Sequence, residues 1–463
     1  MKKSFAFFAL AFLCGGLYAA LPTVTGSAAR QRWPFDGKVA IDFTLGRGDR
    51  CDVQLSATWD GQETPYVFQE RALDGFSSCN LAPNCAYTVM WDPAKDGFTA
   101  KEYKNFKVTV TPVSATDRMF LYVDLVNGTN CWYKTRPDGI VTSTDTSSPS
   151  FLAYLKNGIL FRRVLAGPVG TYTNGVPQAV RESPIPVWDC LSSKKATTGR
   201  YNLASATITP SQQIGFSSDY FISCTWITKS QWQKLGCNGG ADSATVVTRS
   251  IQQLRGLTNT AAEVAAEVRD VKWPVTGFYV KPESDIAAVR TKLASQLPSG
   301  WIVDVPTFTQ REIASTCGRG TLWWNGGDAT TLTEAAVSNL INSCTTWAGH
   351  NLTSHPDDYK FDESVPGQLQ PNDWGIWEPN GGCRAVQICG MDANSSDAAG
   401  YKGMDPVGNA FNARFRVQGV NGQDCTNWEA AGTIPCRSYG GDFGTGGSFR
   451  LAINTSNWPG KPL

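Results

Sequence analysis

The chain has 463 residues, a formal net charge of +1 and 17% charged residues, below the ~25% of ordinary soluble domains. Aromatic side chains make up 11%, too many for a disordered chain, and there is no basic field to attract nucleic acid. The length predicts roughly two to four domains.

The N-terminus reads as an export signal over residues 1–19. Lys2 and Lys3 precede an apolar run, Phe5 to Leu13, and the segment ends on small residues at Ala19 and Ala20. The run is short for a membrane span, and no later stretch reaches ~18 apolar residues, so no transmembrane anchor is expected. Bulky Leu13 before Cys14 argues against lipid attachment there. Cleavage removes both lysines and takes the net charge from +1 to −1.

Thirteen cysteines follow the signal: Cys51, Cys79, Cys85, Cys131, Cys190, Cys224, Cys237, Cys317, Cys344, Cys383, Cys389, Cys425 and Cys436. In an exported chain the default reading is disulfides, of open connectivity. The odd count leaves a thiol that is free or bonded to another chain. With only His350 and His355 and no CxxC pair, cysteine–histidine metal clusters are disfavoured.

Residues 20–180 are expected to form a β-sandwich-like domain and linker. Lys38 to Leu45, Cys51 to Trp59, Phe106 to Val110 and Met119 to Val126 alternate apolar and polar residues, as half-buried strands do. Gly46-Arg47-Gly48 and Asn84 mark turns between them. Gly75 to Cys85 is a loop, with Cys79–Cys85 as a candidate closure. Thr142 to Pro149 predicts an exposed loop, and Pro184 to Trp188 an extended segment.

Beyond Tyr201 the pattern changes. Thr260 to Val268 is rich in Ala and Glu. Ser284 to Leu297 sets Ile286, Val289, Leu293 and Leu297 at helical spacing. Pro306, Thr307 and Gln310 open a second helix, running to Cys317, with a capping-box pattern. Thr331 to Cys344 is a third candidate. After Pro366 the chain is crowded with Gly, with Trp and Phe scattered between. No fixed-period repeat is present.

Four blocks in this half resemble the formylglycine-generating enzyme/sulfatase-modifying factor family. Phe221 to Trp232 resembles the family's "EVTNAQY", with Trp226, Ile227, Thr228, Gln231 and Trp232 at its E, V, T, Q and Y places. Asp304 to Ala314 resembles "RLPTEAEWEYA", keeping Pro306, Thr307, Glu312 and Ala314. Pro371 to Val386 is similar to "PNPWGLYDMSGNVWEW". Arg416-Val417, Cys436-Arg437-Ser438 and Gly447 to Ala452 resemble "RVLRGGSW … CRSAYR … GFRLA". Their order and spacing fit residues 201–455. The resemblance implies a C-type-lectin-like, coil-rich domain, so the expected fold class is α+β with an N-terminal β-sandwich. The opening Ala29 to Gly37 also resembles sandwich domains attached to such modules in secreted bacterial proteins.

The resemblance further implies a chemistry to look for. Active members bind copper(I) on two closely spaced cysteines after "RGGSW", and soft thiolates suit that ion. Here Cys425 matches the first of them, but the next cysteine is Cys436, at the place before "RS", and "GGSW" is replaced by Gly419-Val420-Asn421-Gly422. Cys425 and Cys436 are thus the catalytic candidates if the chain is a Cu⁺ oxidase; otherwise they read as a disulfide tying down a loop. Asp304 replaces the Arg of "RLPTE", Arg311 the Trp of "EAEW", and Arg384-Ala385-Val386 the "WEW". The family often binds Ca²⁺ near that last turn, where Glu378 and Asn380 offer hard oxygen ligands; ordinary turn chemistry is the alternative.

No serine-hydrolase elbow, zinc-protease helix, phosphate loop or dinucleotide fingerprint occurs. His350 and His355, beside Asp357 and Asp358, read as a solvated pair. Trp226, Trp232, Trp323, Trp324, Trp374, Trp377 and Trp428 read as core; an exposed row of them would favour a carbohydrate-binding or adhesive module. The leading expectation is an exported protein whose divergent domain binds or displays a protein or glycan ligand and is not catalytic.

Overall fold

The computed structural model describes residues 20–31, 36–99, 102–137, 157–168, 172–173, 176–177, 200–202, 214–216, 218–225, 227, 229–236, 282–298, 300–304, 306, 310, 313–314, 317–318, 371–377, 386–389, 403–404, 416–420, 433–435, 437–439 and 448–455. The signal, the segment 184–188, the loop 142–149 and the candidate helices 260–268 and 331–344 lie outside them.

Alternation in the segment from Val24 to Val113 produces two facing antiparallel sheets. One has the order β1 (Val24–Gln31), β2 (Val39–Leu45), β6 (Ala86–Trp91) and β5 (Leu73–Asp74). The other is β4 (Gln62–Val67), β3 (Asp52–Trp59) and β7 (Lys107–Val113). Ile41, Phe43 and Leu45 of β2, Val53 and Leu55 of β3, Val89 and Trp91 of β6 and Val110 of β7 fill one core between them. Asp42 points the other way and pairs with Arg30 and Thr88 across its neighbours, which is the period-two alternation at work. Trp91 is fully buried, stacked 4.4 Å from Phe68 and 5.6 Å from Phe106.

The next strands leave the sandwich. β8 (Phe120–Asp124), β9 (Asn130–Tyr133) and β10 (Gly158–Val164) join β16 (Tyr220–Ser223), β17 (Ile302–Asp304) and β24 (Ala452–Asn454) in a six-stranded antiparallel sheet ordered β17-β24-β16-β10-β8-β9. The expected strand 119–126 therefore lies outside the sandwich, and the second sheet draws strands from both sides of the expected 180/201 boundary.

Apolar cores cover both faces of this sheet. Leu160, Val164, Tyr220 and Ile222 face one core, with Ile313, Trp374 and Trp377. Ile159, Phe161, Phe221 and Ile453 face the other, with Ile227, Leu235, Val289, Leu293 and Leu297. The last three come from α2 (Pro282–Ala294) and the turn after it, so the helical spacing of Ser284 to Leu297 is realised as a helix closing this face. α1 (Lys229–Lys234) follows β16, and its Gln231 donates to the Gly158 carbonyl at 2.6 Å. Gly158 has no room for a side chain, since a Cβ there would sit 2.3 Å from the Tyr122 ring. Of the helix expected from Thr307, Gln310, Ile313 and Ala314 are described and helical.

Short ladders complete the described part. β11 (Gly167–Pro168), β15 (Ile214–Phe216) and β19 (Gly403–Met404) form one sheet; β18 (Val386–Cys389), β20 (Arg416–Val420), β22 (Arg437–Tyr439) and β23 (Ser448–Phe449) form another; β12 (Tyr172–Thr173) pairs with β13 (Val176–Pro177), and β14 (Arg200–Asn202) with β21 (Thr433–Pro435). The described architecture is sheet-rich, mostly antiparallel, with few helices. No helix among the described residues is long and apolar enough to cross a membrane.

The Cys79–Cys85 closure is not formed. Cys79 turns inward, buried against the six-stranded sheet, while Cys85 is exposed, and both carry thiols. Cys51 and Cys224 are also buried thiols, and Cys131 is an exposed one. Burial pushes the Cys51 thiol up to about 11, Cys224 up to about 12 and Cys79 well above the ordinary range. Thiolate is the reactive form. Alkylation of the native protein followed by mass spectrometry is therefore expected to label Cys85 and Cys131 promptly, and Cys51, Cys79 and Cys224 only after unfolding.

Candidate functional site

All four sequence-predicted site residues, Cys425, Cys436, Glu378 and Asn380, lie outside the described residues. No group of three or more His, Cys, Asp or Glu that could hold a metal occurs among the described residues. The described parts of the four sequence blocks meet on the six-stranded sheet.

The first block supplies β16, which pairs with β24 directly after the last block; β24 in turn pairs with β17 at the start of the second. The third block is a tight turn. Asn372 Oδ1 accepts from the backbone N–H of Trp374 at 3.1 Å and of Ile376 at 3.0 Å. Its Nδ2 donates to the Ala314 carbonyl of the second block at 2.8 Å. Gly375 takes the positive φ of 75° that the turn requires. The Trp377 N–H then donates to the Cys224 carbonyl of the first block at 2.7 Å.

Arg450 of the last block locks this junction. Its Nη1 donates to the Ser223 carbonyl at 2.9 Å and its Nη2 to the Trp377 carbonyl. Gln310 and Asn454 add a buried amide contact of 2.7 Å between the second block and the end of the last. Guanidinium groups also pack on the rings here: Arg162 lies 4.9 Å from the Phe120 ring centre and Arg136 4.5 Å from that of Trp377. Trp374 and Trp377 are each 3% exposed, so these two form packing rather than a sugar-stacking surface. The turn ends at Trp377, immediately before Glu378.

A second polar cluster, which the sequence did not reveal, lies where the sandwich docks on the six-stranded sheet. Arg163 of β10 makes a bidentate fork with Asp52 of β3 at 2.5 and 3.0 Å. Its Nε and Nη2 reach Asp219 at 2.7 and 2.5 Å. Asp52 also accepts from the Asn80 N–H at 2.9 Å, and Asp219 from the Ala166 N–H at 2.6 Å. Burial works to push the Asp52 carboxyl up, but the Arg163 guanidinium, Arg118 and the Asn80 N–H together outweigh it and hold Asp52 below the usual carboxylate range.

Beside this fork, Glu70 accepts from the Ser78 hydroxyl, and Arg118 donates to Ser78 at 2.8 Å while standing 3.5 Å from Glu70. Trp301 Nε1 to Ser77 at 3.1 Å and the Asn130 N–H to Gln69 at 3.0 Å extend the seam. The contacts of Arg163 with Asp52, Arg118 with Ser78 and Glu70, Trp301 with Ser77 and Asn130 with Gln69 join the sandwich to the second unit. Ser78 donates to Glu70, but both are buried, and the Cys79 thiol beside them is buried and pushed well above its ordinary range, so no nucleophile of the cluster faces solvent. Its chemistry is that of a rigid joint.

Comparison of the chain with protein-family models, with curated proteins and with solved structures returned no match.

Proposed function

We propose that the chain is an exported, non-catalytic binding or display protein, in which a β-sandwich carries a divergent sulfatase-modifying-factor-like unit of C-type-lectin-like layout. The observation that carries the family reading is the convergence of the four blocks. They are spread over more than two hundred residues of sequence, yet Asn372, Trp377 and Arg450 bond one to the next directly. The closing strand β24 lies beside the opening strand β16, so the unit begins and ends at one place on the sheet.

The non-catalytic reading rests on the cysteine spacing. Cys425 and Cys436 do not reproduce the close copper pair, and the "GGSW" and "WEW" elements are replaced. A fold can persist after its site is lost. Glu378 and Asn380 follow directly on the anchored turn and are proposed as oxygen ligands for Ca²⁺. The proposed ligand is a protein or a glycan, and an intermolecular disulfide is proposed through an unpaired cysteine, a reading that the exposure of Cys85 and Cys131 supports.

Titration of the purified, reduced protein with copper(I), followed by a thiol-peptide oxidation assay, tests this reading. The expected result is neither stoichiometric binding nor oxidised peptide. Copper bound one to one together with peptide oxidation would replace the proposal with that of an active oxidase using Cys425.

A further inference from the structure

We propose that the joint between the sandwich and the six-stranded sheet holds one bound proton, on Glu70, and that losing it as the pH rises weakens the joint.

The charge balance of the cluster is the starting point. It contains two guanidinium groups, Arg118 and Arg163, against three carboxyl groups, Glu70, Asp52 and Asp219, all buried. Arg163 spends its fork on Asp52 and its remaining edge on Asp219. Glu70 is left with Arg118 at 3.5 Å and the Ser78 hydroxyl, both at Oε1. Its Oε2 is buried with no hydrogen-bond partner. A fully ionised cluster would keep one uncompensated negative charge away from water, which is costly; taking up a proton removes it. Glu70 is the member with the weakest charge pairing, so the proton resides there.

The groups facing Glu70 come from every element packed around it. From the sandwich come Asp52 on β3 and Ser78 and Cys79 in the loop after β5, and from the other side Arg118 ahead of β8; Arg163 on β10 and Asp219 ahead of β16 belong to the adjoining fork around Asp52. Burial pushes the Glu70 carboxyl up, and the nearby Asp52 charge adds to this. Arg118 and Ser78 oppose the shift without cancelling it. A raised folded value means that the stabilisation is complete below the ordinary glutamate range and is lost as pH rises through the folded value. Asp52, with its lowered value, acts in the opposite sense and fails only on strong acidification.

Glu70→Gln keeps the shape and an acceptor for Ser78 but cannot release a proton. Denaturant unfolding of the full chain, wild type and E70Q, from about pH 5 to about pH 9 reads the effect. The wild-type unfolding constant is expected to rise relative to that of E70Q by up to about tenfold per pH unit above the ordinary glutamate range, and to level off once Glu70 has ionised in the folded protein. Parallel curves over the whole range would overturn the proposal. Infrared spectroscopy supplies a readout that does not depend on the variant's stability. The wild type minus E70Q difference spectrum should show the C=O band of a neutral buried acid at the acid end of the pH range and lose it as the pH rises, and Ser78→Ala should move that band by removing its hydrogen bond. A difference spectrum with no neutral-acid band anywhere from about pH 5 upward would overturn the proposal as well.

Discussion

Arg163→Met is expected to destabilise the protein by about 3–5 kcal/mol, the usual result of removing one partner from a buried ion pair. The side chains of Arg163 and Asp52 are 0% exposed, and that of Asp219 is 5% exposed. Without the guanidinium, two carboxylates from two parts of the molecule would lie close together with no cation between them. Denaturant titration at neutral pH measures the loss. The pH dependence identifies its cause. Asp52 contributes stability above the ordinary aspartate range and loses it as pH falls through its depressed folded value, so the gap between wild type and R163M should narrow in acid. Removing the stranded charges should act likewise. Adding Asp52→Asn and Asp219→Asn to R163M is expected to restore much of the lost stability, because a fully neutral joint carries no buried unpaired charge. Arg163→Lys would keep the charge but lose the fork, and so should fall between wild type and R163M.

Arg450→Ala is the second large effect. Arg450 is 1% exposed and ties two backbone carbonyls, those of Ser223 and Trp377, to the last strand. Hydrogen bonds from a charged donor contribute about 1.5–3 kcal/mol each, so a total loss of about 3–5 kcal/mol is expected. The damage should be local as well as global. The Trp377 N–H, bonded to the Cys224 carbonyl at 2.7 Å, should exchange much faster with solvent in R450A, while the amides of β2 and β3 in the sandwich should lose protection only to the extent that the whole protein is destabilised. Equal acceleration of exchange at all these amides would show that Arg450 contributes to overall stability without holding the turn.

Some of the architecture could be read from the residues alone, and the reason is local. In β2, Ile41, Phe43 and Leu45 face a core while Asp42 faces a neighbouring strand's polar groups, so burial on one side leaves its alternation in the sequence. The helix α2 shows itself through Val289, Leu293 and Leu297 for the same reason at the helical period. The turn Asn372 to Trp377 stood out as a motif because Asn and Gly supply its bonding and its positive φ within a few residues.

Other features have no local trace. β10 reads Gly-Ile-Leu-Phe-Arg-Arg-Val and is buried throughout, with cores on both faces, so no alternation marks it as a strand. Its adjacent arginines look like a surface pair. Arg163 is interior only because Asp52, 111 residues earlier, and Asp219, 56 residues later, arrive beside it. Cys79 and Cys85 are close in sequence and suggested a bond, yet the chain turns one inward and the other to solvent.

The sequence by itself determined the composition class, the sandwich strands β2, β3 and β7, the helix at Ser284 to Leu297 and the four blocks with their altered cysteines, because each is written in neighbouring residues. Only the tertiary structure decided that β8 to β10 belong to the second sheet, that the four blocks close on one another and that a buried charge cluster joins the two units. Those outcomes depend on pairings between distant segments and on the desolvation that comes with them, and neither is recorded in the order of nearby side chains.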